Sequence, residues 1–576
     1  MNVTAQMAGH PVPPGWLPEP LPVGELVVRS AARHGDRDAL DFMGRTWTYR
    51  ALLSEAMAAA QGFLALGVRP GTRVGLFLPN TPHYPIAYYG ALLAGATVVN
   101  FSPLYSPEEV AFQARDSGTE LMVCLDLAKL WAPMQRLLDD GLLTRLIVGN
   151  LPEVLPAAKA LGFRLLKRKE RQPLPHDPRV SHWQALLRSG GKKTLPVIEP
   201  SAIALLQYTG GTTGVPKGAA LTHANLSANA EQLAAIDPGH GTREGRVLGA
   251  LPLFHIFANS CVLNRSIISG GTITLLARFD AGEALAAIRR NRLTDLAGVP
   301  AMYQAMIDHP DVAKTSFASV QQCFSGGAAM TSALKARFEA TTGARVLEGY
   351  GLTETSGVVS VNPYVGETRA GTAGLPLPGT EIRIADPEAP ERVLSPEETG
   401  EILIRGPQVM TGYWRSSEGK PEPLADGWLH TGDLGFVEPG GYLRLVDRSK
   451  DMINVGGFKV FPSQVEAALL KDPAVKEALV IAVPDERVGE RPKAFVVLQE
   501  GAERSPQQLL ATLSERVGKH ERPTALEILD DLPRTMIGKP DRKALSKIEA
   551  ERREAATRQA AEGQSSGRDN RLIATA

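Results

Sequence analysis

The sequence predicts a protein of the α/β and α+β classes, in which helices cover the sheets of a large N-terminal domain. Its length of 576 residues exceeds what one hydrophobic core usually supports, so two or more domains are expected. Short β-rich runs alternate with helical stretches through the first part of the chain, which is typical of parallel sheets covered by helices. From about residue 380 the pattern changes to short strands and turns, and after Asp447 to a small mixed module.

These changes of pattern predict the domain boundaries. We expect a large domain over residues 1–447, which begins with a proline-rich extended arm at residues 1–22 and ends with a closing β-rich subdomain at residues 380–447. A small α+β domain is expected over residues 448–548. Residues 549–576 are polar and alanine-rich without a sustained apolar face, which predicts a flexible tail.

Local signals place the first elements. Thr48 can cap a helix in which Leu53, Met57, Ala60 and Leu64 repeat at helical spacing, and Gly67 can end it. Four short β-rich runs follow this helix: Val74 to Leu78, Thr97 to Phe101, Glu120 to Leu125, and Leu143 to Val148. Thr81 to Tyr105 is uncharged, but prolines and glycines interrupt it, so it predicts a buried helix followed by a buried strand and not a membrane span.

Composition indicates an ordinary globular protein. The 62 basic and 62 acidic residues cancel, so the net charge provides no argument for a nucleic-acid partner. Cys124, Cys261 and Cys323 lie far apart without metal-binding spacing, which predicts buried free thiols in a reducing compartment. The N-terminus lacks the basic start and apolar stretch of a signal peptide.

The segment from Tyr208 to Lys217, YTGGTTGVPK, carries the strongest chemical signal. An apolar run leads into glycines that leave backbone N–H groups accessible, into threonine hydroxyls, and into one lysine, a combination that suits a polyphosphate. It is not a Walker A loop, because Val215 and Pro216 separate Gly214 from Lys217. The alternative, a flexible glycine turn, would rarely carry four hydroxyl-bearing side chains as well.

This loop resembles the phosphate loop of the adenylate-forming superfamily, which contains acyl- and aryl-CoA ligases, luciferases and peptide-synthetase adenylation domains. Four further segments resemble the superfamily's remaining motifs, in the same order: residues 347–355 (LEGYGLTET), 427–434 (GWLHTGDL), 447–462 (from DRSKDMI to Pro462) and 532–539 (LPRTMIGK). Within the superfamily, the paired glycines Gly210 and Gly211 and the segments 359–364 and 406–410 are most similar to bacterial long-chain fatty-acid–CoA ligases.

The resemblance implies a nucleotide site. The phosphates of ATP would be held by Thr209, Gly210, Gly211, Thr212, Thr213, Gly214 and Lys217. Adenine would lie beside Gly327 and Ala328 and stack on Tyr350, whose motif also contains Gly349, Gly351 and Thr353. Asp433 and Arg448 would bind the ribose, and Thr213 and Glu354 would face Mg²⁺.

The resemblance also implies a two-step reaction in one site. Lys539, Glu354 and Thr213 would be the catalytic residues, with Lys539 bridging the carboxylate and the α-phosphate. The small C-terminal domain would be mobile and rotate about Lys450, which would bring Gly456 and Gly457 to the CoA channel. Pro540 stands where the family usually has an aliphatic residue and Asn454 where plant-type relatives have lysine, but neither removes a required charge.

Two further stretches give hypotheses from the residues themselves. Phe254, His255, Ile256 and Phe257 would suit the wall of an acyl pocket, to which Gly326 is also assigned, although a lone histidine among apolar residues is more often a packing residue. A basic segment, in which Leu161, Leu165 and Leu166 accompany Arg164, Lys167, Arg168, Lys169 and Arg171, would suit an anionic membrane surface. A solvated helix end and linker is the alternative for this segment.

We therefore expect a fatty-acid–CoA ligase that acts on a long-chain acid, with ATP, Mg²⁺ and CoA. The alternatives are an acyl-AMP ligase that loads a free-standing carrier protein, a luciferase-like monooxygenase, and a non-catalytic nucleotide- or lipid-binding protein. Fatty acid and CoA are the expected partners, nucleic acid is not, and a homodimer is compatible with the sequence. We expect a cytoplasmic protein, with peripheral contact at the inner face of the membrane as an open alternative.

Overall fold

A computed structural model describes residues 3–4, 10–13, 15–189, 191, 193–209, 216–415, 424–456, 458–485, 487–535 and 539–555. The described residues fall into two compact units. The first contains those of 1–431 and 436–444, and the second contains those of 432–435 and of the chain from 445 onward. The first unit is built from mixed α/β layers and the second is a small α+β module, so the predicted fold class is confirmed.

Two mixed sheets, mainly parallel in their centres, dominate the first unit. The order of the eight-stranded sheet is Gly412–Tyr413, Lys217–Thr222, Ile203–Thr209, Thr97–Asn100, Arg73–Leu76, Leu121–Leu125, Arg145–Gly149 and Val180–His182. The order of the nine-stranded sheet is Leu375–Pro376, Gly357–Val361, Val346–Leu352, Gln322–Ser325, Asp295–Gly298, Arg246–Gly249, Thr272–Leu275, Asp38–Phe42 and Arg45–Thr48. Because the central strands of each sheet are parallel, their carboxyl ends share one edge, where ligands usually bind.

A third sheet, largely antiparallel, is built mainly from strands between residues 381 and 448. Its main path is Val3–Thr4, Glu381–Asp386, Gly400–Arg405, Trp428–Val437 and Leu424–Ala425, with Ala389–Val393 and Leu443–Arg448 paired beside it. Most of these strands lie in the stretch for which the sequence predicts short strands and turns. The strand Trp428–Val437 contributes residues 432–435 to the second unit.

Helices cover the two parallel sheets of the first unit. Their bounds are Val23–His34, Tyr49–Ala65, His83–Leu93, Pro107–Ser117, Ala128–Asp139, Ala157–Leu166, Trp183–Ser189, His223–Ala235, Ile256–Ala258, Arg265–Ile268, Ala281–Asn291, Pro300–Asp308 and Ser332–Thr342. Short 3₁₀ turns lie at Leu151–Glu153, Arg168–Glu170, Pro310–Lys314 and Thr353–Thr355, and a π-helix lies at Asn259–Asn264.

Several local predictions are confirmed. The Thr48 hydroxyl accepts a hydrogen bond from the N–H of Ala51 at 3.2 Å and caps the helix Tyr49–Ala65. The uncharged stretch after Thr81 forms the helix His83–Leu93 and the strand Thr97–Asn100, in which every residue is buried. Among the described residues no helix is both long and apolar enough to span a bilayer. The three cysteines are buried and free.

The second unit has its own sheet and core. Strands Phe458–Val460, Ile453–Val455, Gly489–Leu498 and Val475–Asp485 pair in that order, and Leu526–Ile528 pairs in parallel with Gly489–Leu498. Among its described residues this unit has three helical stretches, Pro462–Leu469, Pro506–Ser514 and residues 542–555, and its 3₁₀ turns lie at Ser449–Asp451 and Lys519–Glu521. Val465, Val480, Val496 and Leu509 are buried in its core.

Asn80 joins the carboxyl edges of the two parallel sheets. It follows the strand Arg73–Leu76, and its Nδ2 donates to the carbonyls of Gly249 at 3.0 Å and Leu251 at 2.7 Å. Its Oδ1 accepts from the N–H of Leu253 at 2.8 Å. Asn80 is buried, so these bonds fix the loop after the strand Arg246–Gly249, which leads to His255, against the neighbouring sheet.

Candidate active site

The predicted phosphate loop closes a β-hairpin. Thr209 ends the strand Ile203–Thr209, Lys217 begins the strand Lys217–Thr222, and the two residues are opposite each other in the antiparallel register. Gly210, Gly211, Thr212, Thr213 and Gly214 lie outside the described residues. The hairpin is anchored by the Tyr208 hydroxyl, which donates to the Asp116 carboxylate.

Tyr413 connects two predicted site residues. The Nζ of Lys217 lies 5.1 Å from the centre of the Tyr413 ring, and the Tyr413 hydroxyl donates to Oε1 of Glu354 at 2.7 Å. Burial, followed by the Glu354 charge, raises the pKa of Tyr413, so the phenol stays protonated as a donor. The structure therefore brings Lys217 and Glu354 to one place, and Tyr413 is a site residue that the sequence analysis missed.

Residues 346–355 place Glu354 beside this hairpin. The strand Val346–Leu352 runs directly into the 3₁₀ turn Thr353–Thr355, and Glu354 is further held by its carbonyl, which accepts from the N–H of Met410 at 2.8 Å. A side chain at Gly351 is excluded, because a Cβ there would lie 1.7 Å from the carbonyl oxygen of Gly357. In the same stretch Tyr350 is buried, whereas Gly349 and Thr353 are half-buried.

The strand Gln322–Ser325 ends in the predicted adenine and acyl segment. Gly326 is buried, and a Cβ on it would lie 3.0 Å from Cζ of Phe257. Gly327 follows with φ of +80°, and it and Ala328 are exposed. The bare backbone of this turn is therefore available to a flat ligand, and the Phe257 ring lies against its first glycine.

His255 lies at the start of the helix Ile256–Ala258. Its Nδ1 accepts from the N–H of Phe257 at 3.3 Å, so the imidazole caps the helix through that nitrogen. Phe254 is half-buried and packs against the main core. Through Phe257, the structure brings the His255 segment and Gly326 together.

In the second unit the predicted ribose and catalytic residues are neighbours. Nε of Arg448 lies 3.2 Å from Oδ1 of the buried Asp433. Lys539 is half-buried, and its N–H donates to the Thr535 hydroxyl at 3.2 Å. Burial, followed by the positive charge of Arg448, lowers the pKa of Lys539 to about 8, and Asp433 opposes this shift.

The predicted hinge residue lies in the same unit. Lys450 lies in the 3₁₀ turn Ser449–Asp451, which directly follows Arg448. Its side chain is exposed along its length but its ammonium is partly desolvated, and this, followed by the Arg448 charge, lowers its pKa. The chain last leaves the first unit between Arg444 and Leu445. Gly456 has φ of +59°, and Gly457 lies outside the described residues.

The described part of the proposed Mg²⁺ site fits a hard cation. Glu354 is half-buried, and a carboxylate that accepts one bond from Tyr413 retains further lone pairs for a metal. Thr213 lies outside the described residues. Among the residues that the structure describes, no group of three or more His, Cys, Asp or Glu side chains could hold a metal by itself.

Comparison with known proteins shows the family. Residues 27–414 match the AMP-binding enzymes, and residues 464–539 match the AMP-binding enzyme C-terminal domain. The chain therefore belongs to the AMP-binding, adenylate-forming enzymes, and the resemblance seen in the sequence is confirmed. Both units contain matched residues.

Individual relatives cover nearly the whole chain. A long-chain-fatty-acid–CoA ligase from Bacillus subtilis is 36% identical over 93% of this chain and 97% of its own. A feruloyl-CoA synthase from Amycolatopsis is 34% identical over 90% of this chain and 97% of its own. The crystal structure of ATP-bound MatB from Rhodopseudomonas palustris is similar with a TM-score of 0.79 and 27% identity, covering 91% of this chain and 98% of that one.

The electrostatic environment of Lys539 can be tested directly. We expect acetic anhydride to modify Lys539 with a midpoint near pH 8, well below that of an ordinary lysine, as followed by peptide mass spectrometry. Arg448→Ala should raise this midpoint because it removes a like charge, and Asp433→Asn should lower it because it removes an opposite one. A midpoint that neither substitution moves would contradict the proximity of Arg448 and Asp433 to Lys539. The exposed Lys547 is the internal reference for the modification.

Proposed function

We propose that the protein is a fatty-acid–CoA ligase that acts on long-chain acids and uses ATP, Mg²⁺ and CoA. The observation that carries the proposal is 36% identity to a long-chain-fatty-acid–CoA ligase over nearly the full chain. The convergence of Lys217, Tyr413 and Glu354 beside the phosphate-loop hairpin supports it. The relative named feruloyl-CoA synthase favours one second candidate, an aromatic acid as substrate.

The proposed chemistry has two half-reactions. A carboxylate oxygen attacks the α-phosphorus of ATP, the bond to the β-phosphate oxygen breaks, and pyrophosphate leaves. The thiol of CoA, as thiolate, then attacks the acyl carbon, and AMP leaves with the electron pair of the carbon–oxygen bond. Both partners in the first half-reaction are anions, so the protein must mainly neutralise and position charge.

Named residues supply that charge. Thr209 and Lys217 would bind the β- and γ-phosphates together with the glycines and threonines between them. Glu354 and Thr213 would hold Mg²⁺, which when bound would neutralise phosphate charge. Gly327, Ala328 and Tyr350, with Gly349, Gly351 and Thr353, would form the adenine site, and Asp433 and Arg448 the ribose site. Lys539 would bridge the carboxylate and the α-phosphate.

The acyl chain and CoA would use separate surfaces. We assign His255, Phe254 and Gly326 to the acyl pocket together with Phe257, whose ring lies against Gly326. Lys450 would be the hinge about which the small domain, residues 448–548, rotates between half-reactions. That rotation would withdraw Lys539 and bring Gly456 and Gly457 to the pantetheine channel.

Because long-chain acids partition into bilayers, we further propose that the enzyme collects them as a peripheral protein at the inner face of an anionic membrane.

Acid-dependent pyrophosphate release tests the activity itself. It is measured with saturated acids of increasing length and with ferulate, and each acid is assayed with CoA, with a carrier protein and with neither. Preference for long-chain acids with CoA supports the proposal. Preference for ferulate, carrier-protein loading, light emission with oxygen uptake, or no release with any acid would each contradict it.

Lys539→Ala should cripple adenylation but spare transfer from pre-made acyl adenylate to CoA. Loss of a preorganised charge should cost about 3 kcal/mol or more in the barrier, which is on the order of a hundredfold. Pyrophosphate release reports the first half-reaction and acyl-CoA formation from synthetic acyl-AMP reports the second. Lys547→Ala, at an exposed lysine of the same unit, is the control. Equal losses in both half-reactions would refute the assignment.

Lys450→Pro should uncouple the half-reactions. Proline fixes φ and restricts the preceding residue, so one domain orientation should be favoured and one half-reaction should fall selectively. Lys450→Ala is the matched control, because it removes the same ammonium but leaves the backbone free. If the proline variant retains both activities, or if alanine has the same effect, the hinge lies elsewhere.

Tyr413→Phe should raise the Mg²⁺ concentration needed for half-maximal adenylation by about five- to tenfold, because Glu354 loses a hydrogen bond worth about 1 kcal/mol. The aromatic ring remains over Lys217, whereas Tyr413→Leu removes both contacts and should also raise KM for ATP. The KM for the fatty acid is the internal control. An unchanged Mg²⁺ dependence in both variants would show that Tyr413 is only structural.

A further inference from the structure

The helix Ala157–Leu166 is unusual because its solvent-facing side is apolar. Its inward side consists of Ala160, which is buried, and Phe163, which is half-buried and packs against the main core. At 100° per residue, the side opposite these two carries Ala158, Leu161 and Leu165. A surface helix normally places polar residues there, so this helix is apolar on the side that faces water.

The exposure of the leucines is large. Leu161 is 59%, Leu165 is 72% and Leu166 is 85% exposed, and together they form a concentrated apolar patch on ten residues of chain. Single exposed leucines are common on proteins and carry no meaning, whereas a contiguous cluster marks an interaction surface. The patch needs a partner that accepts hydrocarbon side chains.

Positive charge adjoins the patch at the C-terminal end of the helix. Arg164 lies in the last turn of the helix, Lys167 is its C-cap, and Arg168 and Lys169 lie in the turn Arg168–Glu170; all four are exposed. They face one carboxylate in this stretch, Glu170, whose Oε1 lies 2.6 Å from Nζ of Lys167. The leucines and the excess of cations lie within nine consecutive residues.

Arg171 does not belong to this group of cations, although the sequence analysis counted it there. Its guanidinium nitrogen lies 2.7 Å from Oδ2 of Asp126, a buried carboxylate at the end of the strand Leu121–Leu125. Its charge is therefore used to compensate Asp126 inside the first unit. Removing it would leave a buried carboxylate without its cation and would disturb the fold.

We infer that the face formed by Leu161, Arg164, Leu165, Leu166, Lys167, Arg168 and Lys169 docks on the surface of an anionic phospholipid bilayer. Leucines enter the acyl boundary while arginines and lysines pair with lipid phosphates, which is how interfacial amphipathic helices bind. The charge favours this occupant, because four exposed cations beside three exposed leucines, against one carboxylate, complement an anionic surface that also accepts hydrocarbon side chains. The inference deepens the proposed membrane attachment and rests on it.

Vesicle sedimentation of the full chain without substrates tests the docking face. The parent should sediment with phosphatidylglycerol–phosphatidylcholine vesicles, remain in solution with phosphatidylcholine alone, and be released by high salt. Two variants separate the contributions: Leu161→Gln/Leu165→Gln/Leu166→Gln and Arg164→Gln/Lys167→Gln/Arg168→Gln/Lys169→Gln. At low salt each should lower the partition coefficient about tenfold or more.

Matched controls keep the test specific. The exposed Val365→Gln and the quadruple variant Lys129→Gln/Lys471→Gln/Lys476→Gln/Lys519→Gln change the same types of side chain elsewhere and should sediment as the parent does. Circular dichroism and turnover of a soluble medium-chain acid should be unchanged in all variants. A parent that never sediments, or docking-face variants that sediment like the controls, would overturn the inference, and so would self-association through the patch. Sedimentation of a chain that lacks ligase activity would contradict only the proposed function.

Discussion

The helix His83–Leu93 ties the two halves of the candidate site together through buried hydrogen bonds. On one side the Tyr84 hydroxyl donates to Oδ1 of Asn100 at 2.8 Å, and Asn100 donates to Oε1 of Gln207 at 2.9 Å, two residues before the phosphate loop hairpin turns at Thr209. On the other side Tyr88 donates to Asn259 at 3.2 Å and Tyr89 to Asn264 at 2.9 Å, both in the π-helix that follows the His255 segment. One helix therefore sets the separation of the hairpin from the His255 segment.

Such a network specifies position because each of its members is expensive to leave unpaired. The three tyrosines are fully buried, and burial raises the pKa of Tyr88 to about 12, so its hydroxyl remains a donor at any physiological pH. A π-helix is rare and widens the backbone locally, which suits the placement of two asparagines opposite neighbouring tyrosines. Asn80 adds a second connection close by, so the two sheets cannot slide past each other without breaking several buried bonds.

Much of the fold could be predicted from local signals, because they act over short distances. The cap at Thr48, the buried helix after Thr81 and the buried strand that follows it each depend on a few neighbouring residues. What could not be predicted were contacts between distant parts of the chain. Tyr413 reaches Glu354 across 59 residues, and Arg171 reaches Asp126 across 45. In the sequence the first is only a Gly-Tyr pair and the second one cation in a basic run. The placement of the motifs along the chain identified the candidate site, but not the side chains that hold its parts together.

The contact between Gly326 and Phe257 has a consequence for how related enzymes can diverge. With 3.0 Å between the ring and the place of a Cβ, even alanine at position 326 would require the ring to move, and a smaller residue at 257 would open space against the glycine. Depth of the proposed acyl pocket would thus be set by two positions that must change in a particular order: the aromatic residue first, the glycine second. If Gly326 were replaced first, the new side chain would clash with the Phe257 ring. We therefore expect related enzymes to reach new substrates by first replacing Phe257 with a smaller residue.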